Sequence, residues 1–333
     1  MTPVERKPPV VVISNENPDW PEIDKFYADE QWQLLLEGLE GQGYMLRPLK
    51  YFEDLRCLDG FDPREWLVWN WGEEWAGLPW SEAQVAEELE RRGFTYTGSS
   101  PEVLRLTQDR MRVKQVLRAA GLPTLPARVF TDPAQAVEWK DFPAIVKGAN
   151  QHASVGIDRE SVVTNVDELA RRIAHMREQF ADDSLVEPFL DSREFQVAVW
   201  GNAEPEALPP SEISYATFTD MRDRLHTRAW KIDRDSRGYL EIQMLCPAPE
   251  DRPDWRARIE QVAVDAYRAL GLRDYARFDL RMLGDEPQVL DVNSNPELDP
   301  LSVMLAGAKQ RGFDYGQMAG RIVEFAAARM PRS

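Results

Sequence analysis

The stretch Asp274-Tyr-Ala-Arg277-Phe-Asp279-Leu-Arg281, followed by Val289-Leu-Asp291-Val-Asn293-Ser-Asn-Pro296, decides how this chain is read. Side chains alternate along a strand, so Arg277, Asp279 and Arg281 share one face while Phe278, Leu280 and Met282 take the other. In the second run Asp291 and Asn293 share a face opposite Leu290 and Val292. If a short turn around Gly284 pairs the two strands, two carboxylates, an amide oxygen and a guanidinium meet on one surface. Hard oxygen donors of this kind suit Mg²⁺, which usually keeps waters and takes the rest of its shell from phosphate oxygens. An amphipathic hairpin with a solvated acidic face stays open on these residues alone. An EF-hand loop does not: Asp291-x-Asn293-x-Asn295 matches its first half, but Pro296 replaces the turn glycine and Ser302 the bidentate glutamate.

Upstream, the pattern is that of an α/β protein. A strand over 8–14 precedes Trp32, Leu35, Leu36 and Leu39, one helical face that ends at Gly41 or Gly43. Strands follow over 44–49 and 66–70, and Ser81-Glu-Ala-Gln84 reads as a capping box opening a helix that ends at Gly93. This order suggests an open sheet with helices packed on it. A second unit starts near Gly98. It holds the stripe Val113, Val116, Leu117 and Ala120, a short helix at Asp132-Pro133, a strand over 142–147 and an Asn165-capped helix to Phe180. A third has strands over 184–190, 193–200 and 239–245, a helix near 254–270, paired strands over 274–283 and 287–293, and a final helix over 314–329. Residues 1–98, 99–186 and 187–333 are the expected domains.

At 333 residues the chain can bury a large core. Its net charge of −17 argues against nucleic acid and anionic membranes as partners, whose phosphates reward the opposite sign. No apolar run reaches spanning length and no leader pattern follows Met1, so the cytoplasm is the expected location. Cys57 and Cys246 belong to no metal or redox motif and read as free thiols.

A second informative segment is Phe142-Pro-Ala-Ile-Val-Lys147-Gly-Ala-Asn-Gln-His-Ala-Ser154-Val-Gly156. A lysine ending an apolar strand before a small-residue loop can aim its ammonium at phosphate while backbone N–H groups wrap the anion. No GK[ST] follows, so this is not a Walker A loop. Taken alone, such a lysine is more often just solvated.

In order, these segments resemble the ATP-grasp superfamily, in its D-alanine–D-alanine ligase branch, over about residues 97–312. The matching pieces are Ile145-Val146-Lys147, Ser154-Val155-Gly156, Glu187 to Leu190, Glu194-Phe195, Arg277-x-Asp279 and Asp291-x-Asn293. The resemblance implies an ATP-grasp architecture: an N-terminal open α/β sheet, a small central lid and a C-terminal mixed or antiparallel sheet. It implies ATP and Mg²⁺ as cofactors and small carboxylate and amine substrates joined through an acylphosphate. Lys147 and Arg110 would contact the phosphates, with Lys114 the alternative to Arg110. Glu187 and the backbone near Leu190 would meet the adenine edge, Leu290 would contribute to the nucleotide pocket, and Glu194 would bind the ribose. Lys231 looks like a further phosphate lysine. Asp279, Asp291 and Asn293 would ligate magnesium, Arg277 would stabilise the oxyanion, and Ser154 would join Lys147 and Arg277 in catalysis. Relatives in this branch often form homodimers.

Departures fall on the substrate side. Asp291 stands where relatives have glutamate, Gln151-His152-Ala153 precedes Ser154, Ile232 follows Lys231, and Ser14-Asn-Glu16 replaces a Gly-rich segment. The acceptor or donor is therefore expected not to be simply D-alanine. Trp66-Leu-Val-Trp69-Asn70-Trp71-Gly72-Glu73-Glu74 places aromatics and acids past a strand end, where open α/β sheets bind ligands. Trp66 and Trp69 read as core. Trp71, Glu73 and Glu74 read as a wall for a cationic or amine substrate, with Glu16 and Glu212 as further candidates on that side. Of the histidines, His152 falls in the phosphate loop, His175 reads as solvated, and His226 has no assigned role. A ligase acting on a peptide or natural-product intermediate and a non-catalytic nucleotide-binding regulator are the competing readings. A regulator would not need Arg277.

Overall fold

The computed structural model describes residues 7–150, 156–227 and 236–331. β1 (Val10–Asn15) lies between β2 (Leu46–Tyr51) and β3 (Leu67–Trp71) in a parallel sheet. Parallel neighbours need a crossover, supplied by α1 (Glu22–Gly41), whose buried side is Trp32, Leu35 and Leu39. α2 (Glu82–Arg91) follows, but the expected capping box does not form. The Ser81 hydroxyl instead accepts from Trp75 N at 2.6 Å and donates to Leu78 O, closing the turn that presents Glu73 and Glu74. α3 (Pro101–Gln108) was not apparent in the sequence. Its apolar stripe spans only two turns, and its start depends on the Ser100 cap with Pro101 behind it. α4 (Arg110–Ala119) begins one residue later under an Asp109 cap.

β4 (Arg128–Phe130), β5 (Ala144–Gly148), β6 (Val162–Val163) and β7 (Ser184–Pro188) form an antiparallel sheet in the order β4-β7-β5-β6. α5 (Val166–Phe180) covers it, and Leu169, Ile173 and Met176 pack on Phe130, Val146 and Val186.

The largest sheet is antiparallel and runs β11-β10-β8-β12-β13, with β9 on β8. These strands are β8 (Glu194–Gly201), β9 (Glu206–Ala207), β10 (Ser211–Ser214), β11 (Gln243–Leu245), β12 (Asp274–Leu283) and β13 (Glu286–Asn293). The strand expected over 239–245 is only partly there: Ser236 caps a short helix, α6 (Arg237–Glu241), and β11 follows. One face of the sheet buries Phe195, Val197, Phe278, Leu280 and Val292 beneath α7 (Pro253–Ala269). The other face carries Glu194, Gln196, Arg277, Asp279 and Arg281 toward one end and Ala198, Trp200 and Tyr275, packed in a second apolar cluster, toward the other.

α8 (Val303–Gln310), also unexpected, and α9 (Tyr315–Ala327) finish the chain. α9 crosses α1 and brings Ile322 and Val323 into one apolar cluster with Val10, Val12, Leu67, Trp69 and Trp200. The first and last thirds of the sequence thus share a core. Among the described residues, no helix is long and apolar enough to cross a membrane.

Candidate active site

β12 and β13 pair across a tight turn in which Gly284 adopts φ +63°, a conformation glycine takes without a Cβ penalty. The register sets Arg277 opposite Asn293 and Asp279 opposite Asp291, with a bulge beyond Asp279 that leaves Leu290 unpaired. The expected polar face is therefore assembled. Arg277 donates to Asp279 from Nε at 2.8 Å and from Nη2 at 3.1 Å. Even so, burial, with the added repulsion of Asp291 and Glu194, raises the Asp279 pKa against the pull of Arg277. Each of the three acids has an arginine partner, yet burial still outweighs the pull of Arg277 on Asp279. No group of three or more acidic, His or Cys ligands occurs among the described residues. Two carboxylates plus the Asn293 amide nevertheless fit Mg²⁺, an ion that normally keeps part of its shell for water and phosphate.

Lys147, at the end of β5, donates to Glu187 Oε1 on β7 at 2.7 Å, and Lys114 of α4 lies 2.6 Å from Oε2. Glu187 is wholly buried. Burial opposes its charge, but the two ammonium groups outweigh that and hold its carboxyl below the ordinary value. This corrects the expected placement of the Glu187 side chain at the adenine edge. Oε1 accepts from Lys147, Oε2 is ion-paired with Lys114, and the group is buried. Lys114 also donates to Thr124 Oγ1 at 3.1 Å and Leu125 O at 3.4 Å and is buried, so it is placed as a partner of Glu187 rather than as a phosphate ligand.

Arg110 stands at the start of α4. It donates through Nη1 to Gly148 O, the residue after Lys147, at 2.8 Å, and through Nη2 to Asp291 Oδ2 at 3.0 Å. One guanidinium joins the strand end of the lysine to the acidic hairpin. The two segments singled out in the sequence therefore border one cleft. On its floor Glu194 Oε2 accepts from Arg281 Nη2 at 2.7 Å and from Tyr215 Oη at 3.0 Å, while Oε1 has no hydrogen bond among the described residues. Arg281 Nη1 also donates to Leu190 O at 2.6 Å. Leu290 lines a small cavity with Arg110, Lys114 and Asp291. Ser154, Lys231 and His152 lie outside the described residues.

The family model for the D-ala D-ala ligase C-terminus matches residues 116–324. The chain is 31% identical to a D-alanine–D-alanine ligase of Desulforudis audaxviator over 72% of its own length and 76% of that protein. The chain belongs to the D-alanine–D-alanine ligase family. It is 28% identical to the corresponding enzyme of a Marinomonas species over 90% of this chain and 91% of that one. The fold matches the crystal structure of the Bacillus anthracis ligase complexed with ATP at a TM-score of 0.72, with 18% identity over 96% and 98% of the two chains. As a member of this family it is an ATP- and magnesium-dependent ligase that forms an amide bond and releases ADP and phosphate.

Within that family frame the substrate side needs three corrections. Glu74 is not open to a ligand: its carboxylate accepts from Asn17 Nδ2 at 2.7 Å and Trp20 Nε1 at 3.1 Å, fastening the loop after β1. Glu212 faces the wrong way. It stands opposite Phe195, on the α7 side of the sheet, clamped by Arg193 from Nε at 2.8 Å and Nη2 at 2.5 Å. Trp71 is half-buried against the shared core of α1 and α9. Glu16 is exposed, 3.9 Å from Lys50.

Glu73 remains accessible at the strand end, where its N–H is held by Asn15 Oδ1 at 2.6 Å. Its carboxyl is pushed up to about 7 by desolvation and by neighbouring Glu297, Glu82 and Glu74. Water still reaches this side chain, so the crowding of like charges around it carries much of the effect. Glu297 also bears on Arg277.

Sequence reasoning missed Glu297, Glu82 and the Arg281–Glu194 pair. Only the last left a signal, in the alternation that sets Arg281 beside Asp279. Gln196, the cross-strand neighbour of Asp279, lies 3.0 Å from His226 Nδ1, which puts that histidine beside the cleft.

Proposed function

We propose that this ligase activates a small amino-acid-like carboxylate and joins it to an amine-bearing acceptor other than D-alanine, with working units close to 1–98, 99–186 and 187–333, the second boundary moving past Pro188 because all of β7 pairs with β4 and β5. The observation that carries the reading is the Arg110 guanidinium shared between Gly148 O and Asp291. It supports Lys147 and Arg110 as the cations that receive the triphosphate from one side and the β12–β13 face as its opposite wall. Glu194, through its open Oε1, suits the ribose, and the backbone near Leu190 with Leu290 suits the base. Asp279, Asp291 and Asn293 would hold magnesium, which when bound neutralises phosphate charge and polarises the γ-phosphoryl group.

The substrate carboxylate oxygen attacks the γ-phosphorus, ADP leaves, and an acylphosphate forms. Positioning and charge neutralisation dominate such a transfer. The amine then attacks the acyl carbon. Arg277 is placed to stabilise the oxyanion before phosphate departs, a donor worth about 10²–10³ in rate. Ser154 and Lys231 keep the roles the family resemblance implies, in catalysis and phosphate binding.

The crowding of Glu73, Glu82 and Glu297, of which Glu297 also bears on Arg277, supports an acceptor that brings positive charge and lacks a carboxylate at that point. A peptide-like acceptor of that character is the second reading. A cytoplasmic homodimer fits the family. The test is phosphate release with D-alanine alone and with pooled amino acids and amines, followed by mass spectrometry of products. Turnover of D-alanine alone to the dipeptide at full rate would overturn the acceptor assignment, and absence of release with every pair would overturn the ligase.

A further inference from the structure

Resting on the reading of Lys147 as a phosphate ligand, we propose that Lys114 is a positioning residue for nucleotide capture: it is the permanent counter-charge of Glu187, and it frees Lys147 to turn toward phosphate. The geometry separates the two lysines. Lys114 is buried: its ammonium donates to Thr124 Oγ1 and Leu125 O, in the segment after α4, and lies 2.6 Å from Glu187 Oε2 of β7 as an ion pair. Lys147 has a single acceptor among the described residues, Glu187 Oε1, and stands at the end of its strand beside the cleft. An ammonium has three donors, so Lys147 keeps two for a ligand, while Lys114 is enclosed and held by Thr124, Leu125 and the charge of Glu187.

The charge count explains why both are present. A buried carboxylate left without a cation is strongly unfavourable. With Lys147 as its only partner, Glu187 would hold that lysine back from an arriving triphosphate. Because Lys114 stays, Lys147 can loosen its bond to Glu187 and meet phosphate as a full cation. Lys114 thus acts through Glu187, without touching nucleotide.

The test is the affinity for Mg–ATP, measured calorimetrically, alongside thermal melting of each variant. Lys114→Met is expected to weaken binding by about tenfold or more. Adding Glu187→Gln removes the carboxylate that then traps Lys147, so the double variant K114M/E187Q should recover to within about threefold of the parent. A lysine that only fills space would leave the double variant as weak as the single one, or weaker. That result, or parental affinity in K114M, overturns the proposal. Should K114M fail to fold, K114Q with and without E187Q is read by the same criterion. A parent protein that binds no Mg–ATP would instead sink the ligand assignment of Lys147 itself.

Discussion

Asp279 shows how a single residue trades stability for readiness. Its carboxyl is raised by burial and by Asp291 and Glu194, with Arg277 only partly compensating. A group whose folded pKa lies above its unfolded value stabilises the fold below the unfolded pKa and loses that contribution as pH rises. At neutral pH the ionised residue is therefore a burden that a bound cation relieves. Asp279→Asn should leave the melting temperature unchanged or higher while ADP formation falls by about 10²-fold or more. Coupled ADP detection with a melting scan checks both, and full activity would contradict the metal assignment.

Glu73 carries the same sign, its carboxyl raised from its ordinary 4.5 up to about 7. Its contribution is whole below about pH 4.5 and is lost as pH climbs through about 7. Glu73→Gln should flatten the pH dependence of the urea midpoint across that range. It should also raise the KM for a cationic acceptor about tenfold, with kcat little changed. An unaltered KM would remove Glu73 from the acceptor wall.

At the scale of elements, the turn after β3 decides whether Glu73 is presented at all. Gly72 has no room for a side chain: an added Cβ would meet the Tyr51 hydroxyl and lie 2.8 Å from Val85 Cγ1. Tyr51 also donates to Glu74 O at 3.0 Å, so the same crowding locks the turn. Gly72→Ala should cost roughly 1–3 kcal/mol by overpacking and raise the acceptor KM as Glu73 shifts. Chemical denaturation and steady-state kinetics measure the two effects.

This turn also marks the limit of what could be read from sequence. The β12–β13 hairpin was legible because strand alternation fixes which side chains share a face, whatever the rest of the chain does. The α1 stripe was legible for the same reason, with a helical period. Ser81 misled, since a capping box and a serine that closes the preceding turn look identical until the partner N–H groups are placed. Glu74 and Glu212 misled because acids near a strand end carry no mark of direction. Asn17, Trp20 and Arg193, which claim them, are far away in sequence. The Lys114–Glu187 pair, 73 positions apart, depends on how α4 meets β7 and had no local signature.

The whole molecule is held in register by one buried charge. Asp274 opens β12 with φ +64° and is fully buried, a strained position for a residue with a side chain. Its N–H donates to Asn202 Oδ1 at 2.9 Å, and Oδ2 accepts from Gly98 N at 2.8 Å, where the N-terminal unit ends. Arg329, just past α9, forms a two-armed pair with the same carboxylate and donates to Tyr96 O. The parallel sheet, the catalytic sheet and the last helix thus meet at Asp274, three residues before Arg277. Arg329→Met leaves Asp274 with hydrogen bonds and no cation. Breaking a buried pair costs about 3–5 kcal/mol. Because Arg329 is partly exposed, roughly 2–4 kcal/mol is expected here. The urea midpoint should fall accordingly. If Asp274 sets the angle between the N-terminal unit and β12, the acceptor KM should rise more than the KM for ATP, since Glu73 and Arg277 come from the two sides of that joint whereas Arg110, Lys147 and Asp291 do not depend on it. An equal rise in both constants would mean that the joint supports stability alone.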